Sequence, residues 1–218
     1  MFSLIMKDIL IQKKRLLFNF AYILLIIFAF QSIHGAMFLA SVVAFTYSLV
    51  MTACAYEDVN KSDMMLNSLP IKRKDIVAAK YLSVFVFFLL GTLAYLLLRS
   101  VISLLNLPLN IFPLTAGSLV SGIVSVGLIT GIYFPVFFKF GYIKSKIFNF
   151  ILFFGFFFGL TSLLSAFRDS GNPFMKAADI FLESQGELVI TVILLAAVFI
   201  FMFISFSLSA AFYKRREF

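Results

Sequence analysis

Residues 188–213 read LVITVILLAAVFIFMFISFSLSAAFY, 26 positions without a charge, and Lys214, Arg215 and Arg216 follow at once. At ~1.5 Å rise per residue such a helix reaches about 39 Å, more than the ~30 Å hydrocarbon core of a bilayer. A helix apolar all round is either a membrane span or the centre of a large protein, and this chain has only 218 residues. On its amino-terminal side apolar runs recur at Leu16–Ile33, Ala36–Tyr56, Tyr81–Leu105, Thr115–Phe138 and Ile147–Ala166. Each is long enough to span. Hydrophobic residues make up 62% of the chain and charged ones 13%, with a mean hydropathy of +1.07. A soluble domain holds about half apolar and about a quarter charged residues, so that class is excluded. The reading is an all-α integral membrane protein of six transmembrane helices. Residues 1–218 form one membrane domain, with no length left for an attached soluble enzyme.

The connections alternate in character and set the orientation. His34 and Gly35 make a minimal turn; 57–80 is charged; 106–114 is uncharged with Pro108 and Pro113; 139–146 is basic; 167–187 is acidic. With the amino terminus inside, one side of the membrane holds Lys7, Lys13, Lys14 and Arg15, then Lys61, Lys72, Arg73, Lys74 and Lys80. The same side takes Lys139, Lys144 and Lys146, then Lys214, Arg215 and Arg216. Those are 15 of the 18 basic residues, leaving Arg99, Arg168 and Lys176 outside or near the outer end of a span. Lysine and arginine accumulate on the cytoplasmic side, so both termini are expected there. The net charge of +8 is thereby a matter of topology, and no nucleic-acid partner is expected. The leading segment 1–15 alternates Phe2, Ile5, Ile9 and Leu10 with charged residues, as an amphipathic helix on the inner leaflet does. No small-x-small cleavage site follows the run 16–30, which argues against a signal peptide.

Several chemistries lack their residues. There is no GxxxxGK[ST] phosphate loop, so the chain is not expected to hydrolyse ATP itself. One histidine, His34, excludes HExxH, one cysteine, Cys54, excludes an internal disulfide, and no GxSxG occurs. No catalytic, cofactor-binding or metal-ligating residue is expected. Buried ionisable groups mark ion pathways in membranes, and Arg99 is the single candidate within the predicted spans. Energy should therefore come from outside the chain.

Small residues punctuate two spans. Ser118, Ser121, Gly122 and Ser125 share one face of the fourth, with Gly127 and Gly131 roughly opposite, and Gly155 and Gly159 repeat the spacing in the fifth. Such residues let helix backbones approach closely in lipid, and the alternative is a polar wall along a transport path. Pro135 should bend the inner end of the fourth span. In the outer segment Asn172 can cap a helix that Pro173 begins, and Phe174, Ala177, Ala178, Phe181 and Leu182 then line one face. A short amphipathic outer helix is expected between the fifth and sixth spans.

The segment 57–80 carries the most information. Met65, Leu66 and Leu69 fall on one helical face before Pro70, and from Pro70 the chain turns into a helix running directly into the third span. A methionine-bearing apolar patch on an inner loop needs a partner groove, because methionine adapts to irregular surfaces. The order Glu57, an amphipathic helix, Ser68-Leu69-Pro70-Ile71, Arg73, Ile76-Val77 and Lys80-Tyr81 resembles the loop after the second span in type-2 ABC transporter permeases. It is similar in particular to membrane subunits of bacterial exporters for phenol-soluble modulins and like amphipathic peptides. About 25 residues carry the motif, and the rest of the chain agrees in layout.

The resemblance implies that 1–15 is an elbow helix and that Asp58–Leu69 is a coupling helix seated in a separate ATPase subunit. Glu57, Asp58, Met65, Leu66, Leu69, Pro70 and Arg73 are then the coupling residues. It implies a second permease subunit, the same or different, and an ATPase partner that holds ATP and magnesium. The location implied is the cytoplasmic membrane of a bacterium, and the cargo an amphipathic or apolar peptide. A small six-span subunit without its own ATPase also describes the substrate-binding membrane subunit of a vitamin importer, and that is the alternative reading.

Overall fold

In the computed structural model the residues described are 2–31, 36–62, 65, 68, 70–106, 112–154 and 186–216. Among them the elements are helices: α1 (Phe2–Ile11), α2 (Lys13–Ala29), α3 (Ala36–Val59), α4 (Arg73–Leu104), α5 (Ala116–Phe154) and α6 (Glu187–Arg215). Four of these, α3, α4, α5 and α6, are long and apolar enough to cross a membrane. The run expected as the first span is α2, whose 17 residues rise about 26 Å, less than the ~30 Å core. The fifth expected span enters α5 at Ile147–Phe154, and its remainder lies outside the described residues.

The leading segment is not one helix over 1–15. It breaks at Gln12 (φ −95°, ψ 4°), so that Lys13, Lys14 and Arg15 open α2. The face of α1 turned to the protein holds Leu4, Asp8 and Gln12, spaced four apart, while Met6, Leu10 and Ile11 are exposed. Positions i, i+4 and i+8 share one side of a helix. The helix thus turns Asp8 and Gln12 to the protein together with Leu4, Ile5 and Ile9, and leaves Met6, Leu10 and Ile11 outward, which suits a helix with lipid around it.

α3 is the most covered of the long helices and α6 the least. α3 packs on α2, α4 and α5, and α5 makes its longest contact with α6. The core combines Ile23 and Ile27 of α2, Phe45 and Leu49 of α3, Val84 and Phe87 of α4, and Tyr133, Phe134 and Phe138 of α5. Tyr213 of α6 closes it edge-on to Phe138. Polar pairs bridge helices where apolar packing supplies no direction. Ser48 donates to Asn19 Oδ1 across α2 and α3 at 2.9 Å. The Tyr81 hydroxyl pairs with Ser205 and Ser209 at 2.6 and 2.9 Å, and Ser205 donates to the Gly131 carbonyl.

Two boundaries differ from the sequence reading. α3 runs through Glu57 and Asp58 to Val59, three residues past Tyr56, and the Glu57 carboxylate pairs with Lys7 and Lys80 instead of entering solvent. The basic stretch 139–146 is not a loop: α5 continues through it with one break at Gly141 (φ 78°, ψ 176°). Pro135 lies within the helix and the non-helical dihedral angles fall six residues later. Glycine alone adopts that backbone region readily, so the turn of the chain belongs to Gly141.

Candidate functional site

The end of the bundle at which α3 stops and α4 starts gathers the charged residues. Lys80 Nζ lies 2.9 Å from Asp8 Oδ2 and 3.0 Å from Glu57 Oε1. Lys7 Nζ lies 2.8 Å from the same Glu57 oxygen and 3.6 Å from Asp8 Oδ1. Side-chain exposure is 4% for Lys80, 5% for Asp8 and 4% for Glu57, against 28% for Lys7. Two carboxylates and two ammoniums therefore form a neutral cluster joining α1, α3 and α4. Neutrality and short pairs are what allow it, since a lone buried ion would cost several kcal/mol.

Sequence reasoning had Glu57 as a coupling residue, Lys80 in the basic count and in the Lys80-Tyr81 part of the motif, and Lys7 in the basic count, but gave Asp8 no role beyond a surface helix. One signal was available: Asp8 is the only acidic residue before Glu57, and it falls on the Leu4 and Gln12 face.

A second group sits beside this cluster. A Cβ on Gly141 would lie 3.5 Å from Asp58 Oδ1 and 3.1 Å from an Arg216 terminal nitrogen, so the kink of α5 meets the ends of α3 and α6. Arg73, at the first position of α4, donates from Nη1 to the carbonyls of Lys214 (2.9 Å), Arg216 (3.4 Å) and Tyr213 (3.5 Å). A guanidinium on the orphan carbonyls of a helix end satisfies acceptors and meets the negative end of the macrodipole. The Lys139 ammonium lies 5.0 Å from the Phe140 ring centre and 5.2 Å from that of Phe212.

Of the remaining predicted loop residues, Met65 is helical and 72% exposed, and Ser68 donates to its carbonyl at 2.7 Å. Pro70 is exposed; Leu66 and Leu69 lie outside the described residues. Outside them too are Phe174, Phe181 and Leu182 of the expected outer helix, and Gly155 and Gly159.

The small-residue face of the fourth span divides. Gly122 meets the Phe88 ring, 2.9 Å from where its Cβ would stand. Ser118 instead exchanges hydrogen bonds with Thr115 at the start of α5, and Ser121 donates to the Gly117 carbonyl, so these two serve their own helix. Ser125 is half-buried. The closest approach is on Gly127 and Gly131, where a Cβ would stand 2.6 Å from Val198 and 2.5 Å from Phe201 of α6. Their pairing with α6 follows from which helix packs there, which spacing alone does not state. Among the described residues no three His, Cys, Asp or Glu side chains converge to hold a metal ion.

The sequence pattern of the family described as ABC-2 family transporter protein matches residues 3–214, nearly the whole chain. The chain belongs to the ABC-2 transporter family. No curated protein and no solved structure matches it. As an ABC-2 member it is a multi-pass membrane component of a transporter. Permeases of this family are typically non-catalytic and generally partner an ABC ATPase. The charged end, where α1, α3 and α4 meet, is the part of this ABC-2 chain from which the connecting segment 60–72 projects.

Proposed function

We propose that the chain is the permease subunit of an ATP-driven exporter, with six spans and both termini cytoplasmic. The segment 57–80 seats on a separate ATPase and passes its motion to the spans. Two permeases, alike or related, form the path with two ATPases, in the cytoplasmic membrane of a bacterium. The cargo is an amphipathic or apolar peptide entering from the inner leaflet, which needs no charged binding site between phenylalanine-rich spans.

The single observation that carries this reading is the exposed Met65 on a helical segment directly beyond the end of α3, at the end of the bundle that gathers the basic residues. Val59, 76% exposed, extends the apolar surface toward the helix end. An apolar side chain held out on a helix beyond the membrane region gains by entering a groove, and a family that works with an ATPase supplies one. The test is Met65→Asp in the reconstituted complex of permease and ATPase. A charge in a seated apolar patch is left desolvated, a cost of several kcal/mol. The variant should insert in the membrane normally, copurify poorly with the ATPase and lose peptide-stimulated hydrolysis. Normal copurification and stimulation would remove 57–80 from the coupling role. Tight binding of one small vitamin by the lone subunit, with inward movement, would replace the exporter reading by the importer one.

A further inference from the structure

Glu57 and Lys80 stand at the two ends of the projecting segment, and their side chains meet at 3.0 Å, closing its base. Both are bound in turn by neighbouring residues of α1, Asp8 to Lys80 and Lys7 to Glu57. Beside these pairs the α1 face carries buried Leu4, which lines a small cleft together with Ile76 and Ala79 of α4, and the buried Gln12 at its end. Apolar faces slide past one another with little loss, since dispersion has no fixed direction. Buried ion pairs do not, because a displacement of an ångström or two leaves a charge unpaired in a low-dielectric setting.

We propose that the Lys7–Asp8–Glu57–Lys80 cluster is a register pin that makes α1 and the two roots of segment 57–80 move as one body. Lys80 is the central positioning residue, among the described residues the cation of α4 that pairs with both α1 and α3. The inference rests on the reading of 57–80 as the coupling segment and deepens it. A push on that segment reaches α1, whose Met6, Leu10 and Ile11 face outward, as well as α3 and α4. The ionic character of the contact is required, not merely its volume. An apolar pair in place of Asp8 and Lys80 would keep the fold while freeing the register, and it would leave the Lys7–Glu57 pair intact.

The experiment uses the full permease and ATPase complex in vesicles, with a labelled synthetic amphipathic peptide as probe. It compares wild type, Lys80→Met, the double variant Asp8→Leu with Lys80→Met, and the conservative variant Lys80→Arg. Two quantities are read for each: the apparent Tm of the complex, and peptide moved per ATP hydrolysed. Lys80→Met should lower the transport ratio about tenfold, within the usual range of coupling between sites. The apolar double variant should recover the Tm and not the ratio, whereas Lys80→Arg, which keeps a cation between Asp8 and Glu57, should retain both. A wild-type ratio in Lys80→Met or in the apolar double variant overturns the pin, as does a Lys80→Arg variant that keeps the Tm without the ratio. If wild type itself shows no peptide-dependent hydrolysis, the exporter reading fails instead, and the two failures are thereby told apart.

Discussion

Gly141→Ala should destabilise the protein although it adds one methyl group, and Gly117→Ala should not. At φ 78° and ψ 176° residue 141 occupies a region that side-chain-bearing residues avoid. Holding a non-glycine residue in such a region costs of order 1–3 kcal/mol. The steric part is smaller, since the nearest atom to the new Cβ is a terminal nitrogen of Arg216 at 3.1 Å, the far end of a flexible side chain. The total is therefore set by the backbone, at about 2 kcal/mol. For chains of 150–250 residues each kcal/mol moves Tm by about 2–4 °C, which gives a fall of roughly 4–8 °C. Gly117, inside the same helix, has no atom within 4 Å of a new Cβ, and helical alanine is favoured over glycine by up to ~1 kcal/mol. The same chemical change should therefore leave Tm unchanged or raise it. The assay is the apparent Tm of the two purified variants in one detergent, at one scan rate. Equal behaviour of the two, or a Gly141→Ala variant as stable as wild type, would refute the left-handed kink and the meeting of α3, α5 and α6 built on it.

Arg73→Ala should remove about 1–2 kcal/mol by uncapping the end of α6, seen as a lower apparent Tm. Arg73→Lys should recover only part, because the lysine side chain is one bond shorter and its ammonium stops short of where Nη1 meets the carbonyls; lost transport with an unchanged Tm would instead place Arg73 on the ATPase. Single cysteines at Ser62 or Lys144, in a Cys54→Ser background, should resist an impermeant thiol reagent in intact cells while one at Ser170 reacts, and labelling of Ser62 from outside would invert the topology. Lys144 is the position to label there because it is exposed whereas the neighbouring Ser145 is fully buried.

Membership of the membrane class and the positions of the long helices were legible in the sequence because hydropathy over a span is a local quantity. The run 188–213 needs no partner to be read, and α6 covers it with one residue more at its start and two at its end. The continuous helix from Arg73 into the third span was equally local: an uninterrupted pattern after Pro70. The full set of six spans was not reached in the same way. α2 is shorter than the bilayer core, and apolar length alone does not separate a span from a helix that ends early at its turn.

What the tertiary structure decided were the pairings. Asp8 meets Lys80 across 72 positions of sequence and Lys7 meets Glu57 across 50, and no window along the chain holds both members of either pair. Composition placed the charges at one end of the bundle; only packing brought two acids and two bases to within hydrogen-bonding distance. The choice of Gly127 and Gly131, ahead of Ser118 and Ser121, as the close contact to α6 has the same origin, since a glycine is informative only once the side chain opposite it is known. Hydropathy sums over neighbours in sequence, and ion pairs and helix contacts depend on neighbours in space. The sequence alone therefore determined a basic-ended membrane domain with a loop fit for a partner, while the fold determined which residues hold that loop in place.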